Sequence, residues 1–243
     1  MSWTGYLWSS IPAPYRSHFE LNLVTAPTAE PLLVGGDSRL DVRTHLRIDS
    51  PDAAETGYLQ GLIAAARRWA ENYTARLFIE QTWDLLLPHG FPGFFGSSSG
   101  IPAPSSYILT PSEIRIPRAP VKAAGGIVSL KYLDSNGVQQ ALVAGTDYVS
   151  AVRGDQAIVT PAFGKSWPAV RVAFDGAGNY PVEVRFIAGY GADGLSVPEN
   201  FRQAMLLLVA HWYENREEVS EARLATVPMA AEALLSQDRF SPW

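Results

Sequence analysis

Two stretches of this sequence match patterns that do chemistry in other settings. Gly189-Tyr-Gly191-Ala-Asp-Gly194 fits G-x-G-x-x-G, in which glycines let the backbone approach a pyrophosphate at a helix N-terminus. Here the helix expected downstream opens only behind Pro198, no second parallel strand remains to complete a βαβ unit, and Glu214, at the acidic offset, falls inside that helix. The stretch reads as a glycine-rich turn from strand to helix. Gly96-Ser-Ser-Ser-Gly100 fits the G-x-S-x-G nucleophile pattern, with Ser98 at its centre and His211 downstream. A nucleophile elbow needs a strand running sharply into a helix, whereas Phe91-Pro-Gly-Phe-Phe95 precedes this serine and Ile101-Pro-Ala-Pro104 follows it. A surface loop is expected there.

His18, His45, His89 and His211 stand far apart, and none belongs to an H-E-x-x-H arrangement. His211 and Glu214 lie at i, i+3, but a di-iron bundle needs a second such pair and two further glutamates. The chain has no cysteine, which removes disulfides, thiolate metal sites, iron-sulfur clusters and cysteine nucleophiles together. No catalytic residue, cofactor or metal is therefore expected. Asn72-Tyr-Thr74 matches a glycosylation sequon, but it falls at a helix end in a chain that opens without a secretion-type segment. Glu214, Glu217, Glu218 and Glu221 form an acidic cluster, either an ordinary solvated face or a negative wall. Trp167 is expected to be a core aromatic rather than an interface anchor.

With 243 residues the chain is long enough for one large or two modest domains. Its 47% hydrophobic and 18% charged content leaves much surface uncharged, which suits a protein that sits against partners. The 19 Lys and Arg against 24 Asp and Glu give a net charge of −5, which argues against gripping nucleic acid by its phosphates. The longest apolar run, Ala204 to Ala210, is far too short to span a membrane.

Residues 1–37 hold Pro12, Pro14, Pro27 and Pro31 with aromatics between them and read as an extended arm anchored on something. A short helix is expected over Ser38 to Leu46. A longer one follows, with Ser50 as N-cap, Pro51 at the first position, and a stop near Tyr73 to Ala75. Leu59, Leu62, Ile63, Ala66, Trp69, Ala70 and Tyr73 form its apolar stripe, while Arg67, Arg68 and Glu71 are expected to face away. Phe78 to Leu87 reads as a strand and 88–106 as a loop. Short strands are expected at Glu113 to Ile116, Gly126 to Leu133, Val138 to Val143, Tyr148 to Val152, Ala157 to Thr160, Val170 to Phe174 and Val182 to Ala188. A capping box at Ser196-Val-Pro-Glu199 opens a helix expected to run to about Glu218. Phe201, Ala204, Met205, Leu208 and Trp212 line one stripe of it, and Leu206, Val209 and Tyr213 a second. An apolar arc that wide needs two burial partners, and the second stripe is expected to meet a neighbouring subunit. A last helix spans Pro228 to Leu235 ahead of a tail, 236–243. The fold class is α+β.

Several phrases together resemble the adaptor, or head-to-tail connector, proteins of long-tailed bacteriophages and related gene transfer particles. They are Leu46-Arg-Ile-Asp49 leading to Ala64-Ala-Ala-Arg-Arg-Trp69; Gly145-Thr-Asp-Tyr148; Pro161-Ala-Phe-Gly-Lys-Ser-Trp-Pro168; Val182-Glu-Val-Arg-Phe-Ile-Ala-Gly-Tyr-Gly191; and Pro198-Glu-Asn-Phe-Arg-Gln-Ala-Met continuing to Glu217. Pro228 and Ala233-Leu-Leu235 follow, so the likeness runs from about Ser38 to Arg239. It resembles the longer members, implying a helical adaptor core with an inserted antiparallel β region. The implied divisions are an arm at 1–37, N-terminal helices at 38–77, the β region at 78–195 with its loop at 88–106, C-terminal helices at 196–235 and a tail at 236–243.

The resemblance implies a structural virion protein in the neck, assembled in the host cytoplasm, without cofactor or membrane partner. It implies a ring, typically of twelve copies, that docks on the portal protein, carries a stopper or tail-completion protein, and passes double-stranded DNA without specific binding. In that setting Glu214, Glu217, Glu218 and Glu221 are expected at the lumen, and Arg239, Phe240 and Trp243 at the portal. The competing readings are a monomeric ligand-binding β module, another tail or neck structural protein, and a hydrolase resting on Ser98.

Overall fold

The computed structural model describes residues 19–92, 112–171, 180–215 and 228–241. Its elements are β1 (Glu20–Thr25), α1 (Val42–Leu46), α2 (Ala53–Thr74), β2 (Gln81–Leu87), β3 (Ile114–Arg115), β4 (Ile127–Leu133), β5 (Gln139–Leu142), β6 (Tyr148–Arg153), β7 (Gln156–Pro161), β8 (Val182–Ala188), α3 (Glu199–Glu214) and α4 (Met229–Ser236). They fall into a helical unit, residues 27–80 and 189–241, and a β unit, residues 1–26 and 81–188 with 242–243. The class is α+β, with helices and antiparallel sheets in one chain.

In the helical unit, the carboxylate of Asp52 accepts the N–H of Glu55 at 2.7 Å and opens α2. The cap is thus Asp52 rather than Ser50, because its side chain is the one within reach of a free first-turn donor. Leu59, Ile63, Ala66 and Ala70 of α2 pack with Phe201, Ala204, Met205, Leu208 and Val209 of α3 and with Ala231 and Leu235 of α4. Phe201, Met205, Leu208 and Val209 are 0% exposed. Each such side chain contributes about 1.5–3 kcal/mol by leaving water. Phe78, just ahead of β2, stacks on Phe201 with ring centroids 4.9 Å apart.

The expected capping box does not form. Ser196 instead closes a 3-10 turn, Gly194–Ser196, where Asp193 accepts both its N–H and its hydroxyl at 3.0 Å. α3 then starts at Glu199 behind Pro198, without a side-chain cap, and leaves helical geometry at Asn215, short of Glu218.

Arg67 and Glu71 do not face away. Residues 27–34 cover that side of α2, and Arg67 donates to Glu30 at 2.7 and 3.2 Å and to Glu71 at 3.0 Å. The second oxygen of Glu71 accepts the backbone N–H of Phe78 at 2.8 Å. Burial alone would push the Arg67 pKa down; hydrogen bonding to Glu30 and the two carboxylate charges outweigh it and hold it above the ordinary guanidinium value.

The β unit contains a five-stranded sheet, order β1-β2-β8-β4-β5, and a three-stranded sheet, order β3-β7-β6, with every strand pairing antiparallel. β8 shows the alternation its sequence promises, with Val182, Val184, Phe186 and Ala188 buried on one face. Its other face carries Arg185, which grips Asp84 of β2 through two bonds of 2.7 and 2.9 Å, and Glu183, which lies 3.8 Å from Lys131 of β4.

The described part of the expected N-terminal arm, from residue 19 on, packs against the rest of the chain. Residues 20–25 form β1, an edge strand on β2, because Leu21 and Leu23 alternate with polar neighbours, and Leu32 beyond it lies in the helical core at 1% exposure. The expected strand Val170 to Phe174 falls mostly outside the described residues, as does most of the 88–106 loop.

Candidate assembly surfaces

The glycine-rich motif serves chain crossing. Gly189 has φ +142°, and a Cβ there would stand 2.5 Å from the backbone nitrogen of Glu80. The Gly191 carbonyl accepts that Glu80 N–H at 2.8 Å, and a Cβ on Gly194 would meet the Pro31 carbonyl at 2.6 Å. Backbone fills the space at Gly189 and Gly194 and the Ser196 side chain fills it at Gly191, which leaves no cradle for a phosphate. The motif around Ser98 lies outside the described residues. Among the described residues no cluster of His, Asp and Glu could hold a metal, and no helix is long and apolar enough to cross a membrane.

The second stripe of α3 is only partly available to a neighbour. Val209 is 0% exposed in the core of its own unit, which removes it from the expected subunit surface; the packing of α2 and α4 around α3 already uses that side. Leu206 and Tyr213 are half-buried. The Tyr213 hydroxyl donates to Glu55 of α2, and its ring lies 6.2 Å from Tyr58. Glu214 is exposed at the end of α3, while Glu217, Glu218 and Glu221 lie outside the described residues.

The tail does not hang free over its described part. Arg76, just past the end of α2, donates to the Asp238 carbonyl and at 3.1 Å to the Tyr190 hydroxyl. Asn200 donates to the Asp238 carboxylate at 2.7 Å, and the Phe240 N–H bonds the Thr74 carbonyl at 2.8 Å. Arg239 is exposed with its guanidinium 5.4 Å over the Tyr73 ring, Phe240 is half-buried, and Trp243 lies outside the described residues. Residues 238–240 are thus a fastened strap, because they satisfy donors and acceptors left open at the end of α2.

Trp167 is a core aromatic, as its sequence context suggests. It is 8% exposed, stacks on Phe91 at 4.6 Å with planes 5° apart, and donates to the Ser112 carbonyl at 2.6 Å. The same phrase holds a residue that sequence reasoning passed over. Phe163 is 107% exposed, and Val143 and Val149 elsewhere in the β unit are exposed at 58% and 45%. The available signal was a phenylalanine next to Gly164 in a turn, where no strand or helix period could bury it.

Residues 171–239 match the family of phage gp6-like head-tail connector proteins. That span contains β8, α3 and α4. Comparison with curated protein sequences finds no match. Among solved structures, the chain is similar to a protein in the neck of an empty GTA particle computed with C6 symmetry, at 25% identity over 91% of this chain and 95% of that one, with a TM-score of 0.59. It is similar at 26% identity, over the same shares and with a TM-score of 0.55, to a chain from the neck of a native GTA particle computed with C12 symmetry. A chain from the virion of a native gene transfer agent particle shares the fold at 24% identity over 91% and 95%, with a TM-score of 0.60. The connector match on the C-terminal helices and the likeness to neck proteins over 91% of the length agree with the phrases seen in the sequence, so this chain is similar in part to the connector family and along nearly its whole length to proteins of GTA necks.

Proposed function

We propose that twelve copies of this chain form a closed ring that docks under the portal of a DNA-filled head and carries the stopper or tail. Duplex DNA passes through the lumen without specific binding. The observation that carries this is the connector-family match falling on α3 and α4, joined to likeness with necks computed with C6 and C12 symmetry. The charge supports it: twelve copies at −5 each give a ring of about −60 before counterions, which lets a polyanion slide rather than stick. Exposed Glu214 begins the acidic stretch that continues in the sequence to Glu217, Glu218 and Glu221, and we assign that stretch to the lumen. Neck maps with these glutamates on the outer rim would remove that assignment.

Arg239, Phe240 and Trp243 are proposed as the portal-facing edge, with Leu206 and Tyr213 at the side of the helical unit left to a neighbouring subunit. The strap through Asp238 and Phe240 holds the described part of that edge, Arg239 and Phe240, beside the end of α2. The particle assembles in the host cytoplasm before the ring closes the head. The test is electron microscopy of a lysate made without this gene, with the intact gene supplied back as control. Filled or leaking heads beside finished free tails are the expected result; intact tailed particles would overturn it.

A further inference from the structure

Phe163 has all of its surface in water, and the chain around it is held so that the ring cannot fold back. The N–H of Lys165 closes the turn on the Ala162 carbonyl at 2.9 Å, and Gly164 takes φ +75°. The Ala162 N–H bonds the Asp147 carbonyl at 3.0 Å. Behind the turn, Trp167 is locked on Phe91. Asp147 also organises the preceding turn: its N–H bonds the Val143 carbonyl at 2.8 Å, and its carboxylate takes the Val143 N–H at 2.9 Å. Two turns therefore meet on Asp147, one carrying exposed Val143 and the other exposed Phe163, with exposed Val149 two residues beyond it in the chain. Val149 lies on β6, the outer strand of its sheet, which is exposed along nearly all its length. A rigid aromatic knob with an aliphatic surround is the composition of an interface anchor.

Charge says what it meets. The β unit carries 9 Lys and Arg against 8 Asp and Glu, a net +1, while the helical unit carries 10 Arg against 16 Asp and Glu, a net −6. All the lysines lie in the β unit, among them Lys165, 54% exposed two residues from the knob. Two helical units brought face to face repel, whereas the β unit set against a helical unit does not. Closed cyclic assemblies also join two different surfaces of the same chain. The helical unit offers an apolar contact of its own at Met229, 85% exposed on α4.

We propose that the elbow formed by Val143, Val149 and Phe163 is an interface between copies, docking on the acidic helical unit of the next copy. This rests on the ring reading above and assigns the surface that closes it. The test places the photo-crosslinker p-benzoylphenylalanine at position 163 and irradiates purified particles. A product at twice the chain mass, with the linked peptide in 27–80 or 189–241, is expected. Linkage only to another neck protein, linkage only to the β unit, or no product from particles that contain the chain would overturn the inference and leave the neck reading standing. Particles shown by mass spectrometry to lack the chain would overturn both. As a second readout, F163D should leave the melting temperature of the isolated chain unchanged and weaken association between copies roughly thirtyfold, the loss typical of an interface anchor. Undiminished association would equally overturn it.

Discussion

The guanidinium of Arg76 donates to the backbone carbonyl of Asp238, 162 residues further along the chain, and so ties the end of the first long helix to the C-terminal strap. Arg76 is 7% exposed, so this bond is made largely out of water. Arg76→Ala should lower unfolding free energy by about 1.5–3 kcal/mol, the range for a lost hydrogen bond to a charged group. Truncation after Leu235 should cost a similar amount, since it also removes the Asn200 and Thr74 contacts. Urea midpoints of the isolated chain measure both. An unchanged midpoint after truncation would mean that the strap is decorative.

Buried Arg67 and Glu71, with half-buried Glu30, give a second prediction. Arg67→Ala leaves two carboxylates without their cation and should cost about 3–5 kcal/mol. Glu71→Gln can still accept the Phe78 N–H through its amide oxygen and should cost distinctly less. Equal losses in the two variants would contradict the geometry.

Asp41 caps α1 and accepts from the N–H groups of Gly35 and Arg43 and from the Arg43 guanidinium. Burial pushes its carboxyl up, but these hydrogen bonds outweigh burial and hold its pKa below the ordinary carboxylate range. The depressed value means that its contribution is complete above the unfolded carboxylate value, near ~3.9, and is lost as pH falls through the lower folded value. Amide protection factors in residues 33–46, referred to intrinsic exchange at the same pH, should therefore fall below about pH 4. Asp41→Ala should remove about 1–2 kcal/mol at neutral pH and flatten that acid response.

Two glycines should respond oppositely to alanine. Gly189→Ala forces a Cβ into the Glu80 backbone at 2.5 Å and should abolish soluble folded protein. Gly57, inside α2 with nothing within 4 Å of its would-be Cβ, should gain about 0.5–1 kcal/mol on the same change. Thermal melts of the two variants decide the matter.

Strands were the most legible part of the sequence. β4 to β8 each fall within a residue or two of their expected bounds, because alternation and turn glycines mark both the face and the ends. β1 was hidden among prolines, since six residues with two inward leucines give too little period to stand out. The polar burial of Arg67 and Glu71 was also invisible, because it is created by residues 27–34 arriving from outside the helix. Helix starts slipped: α2 is capped by Asp52 rather than Ser50, α1 by Asp41 rather than a residue near Ser38, and α3 opens at Glu199 with no side-chain cap because Ser196 is taken into the preceding 3-10 turn. The assembly surface was the least legible. Val209 and Leu206 look alike in a helical wheel, yet one is fully buried and the other is not, and Phe163 lies outside any periodic element.

The most direct test of the connector account is cryo-electron microscopy of the neck in purified particles, with symmetry imposed only after the ring has been counted. The account predicts a closed ring of this chain between portal and tail, with α3 and α4 in the density and the stretch from Glu214 onward turned to the DNA channel. Density for the chain elsewhere in the particle, or none at the neck, would contradict it.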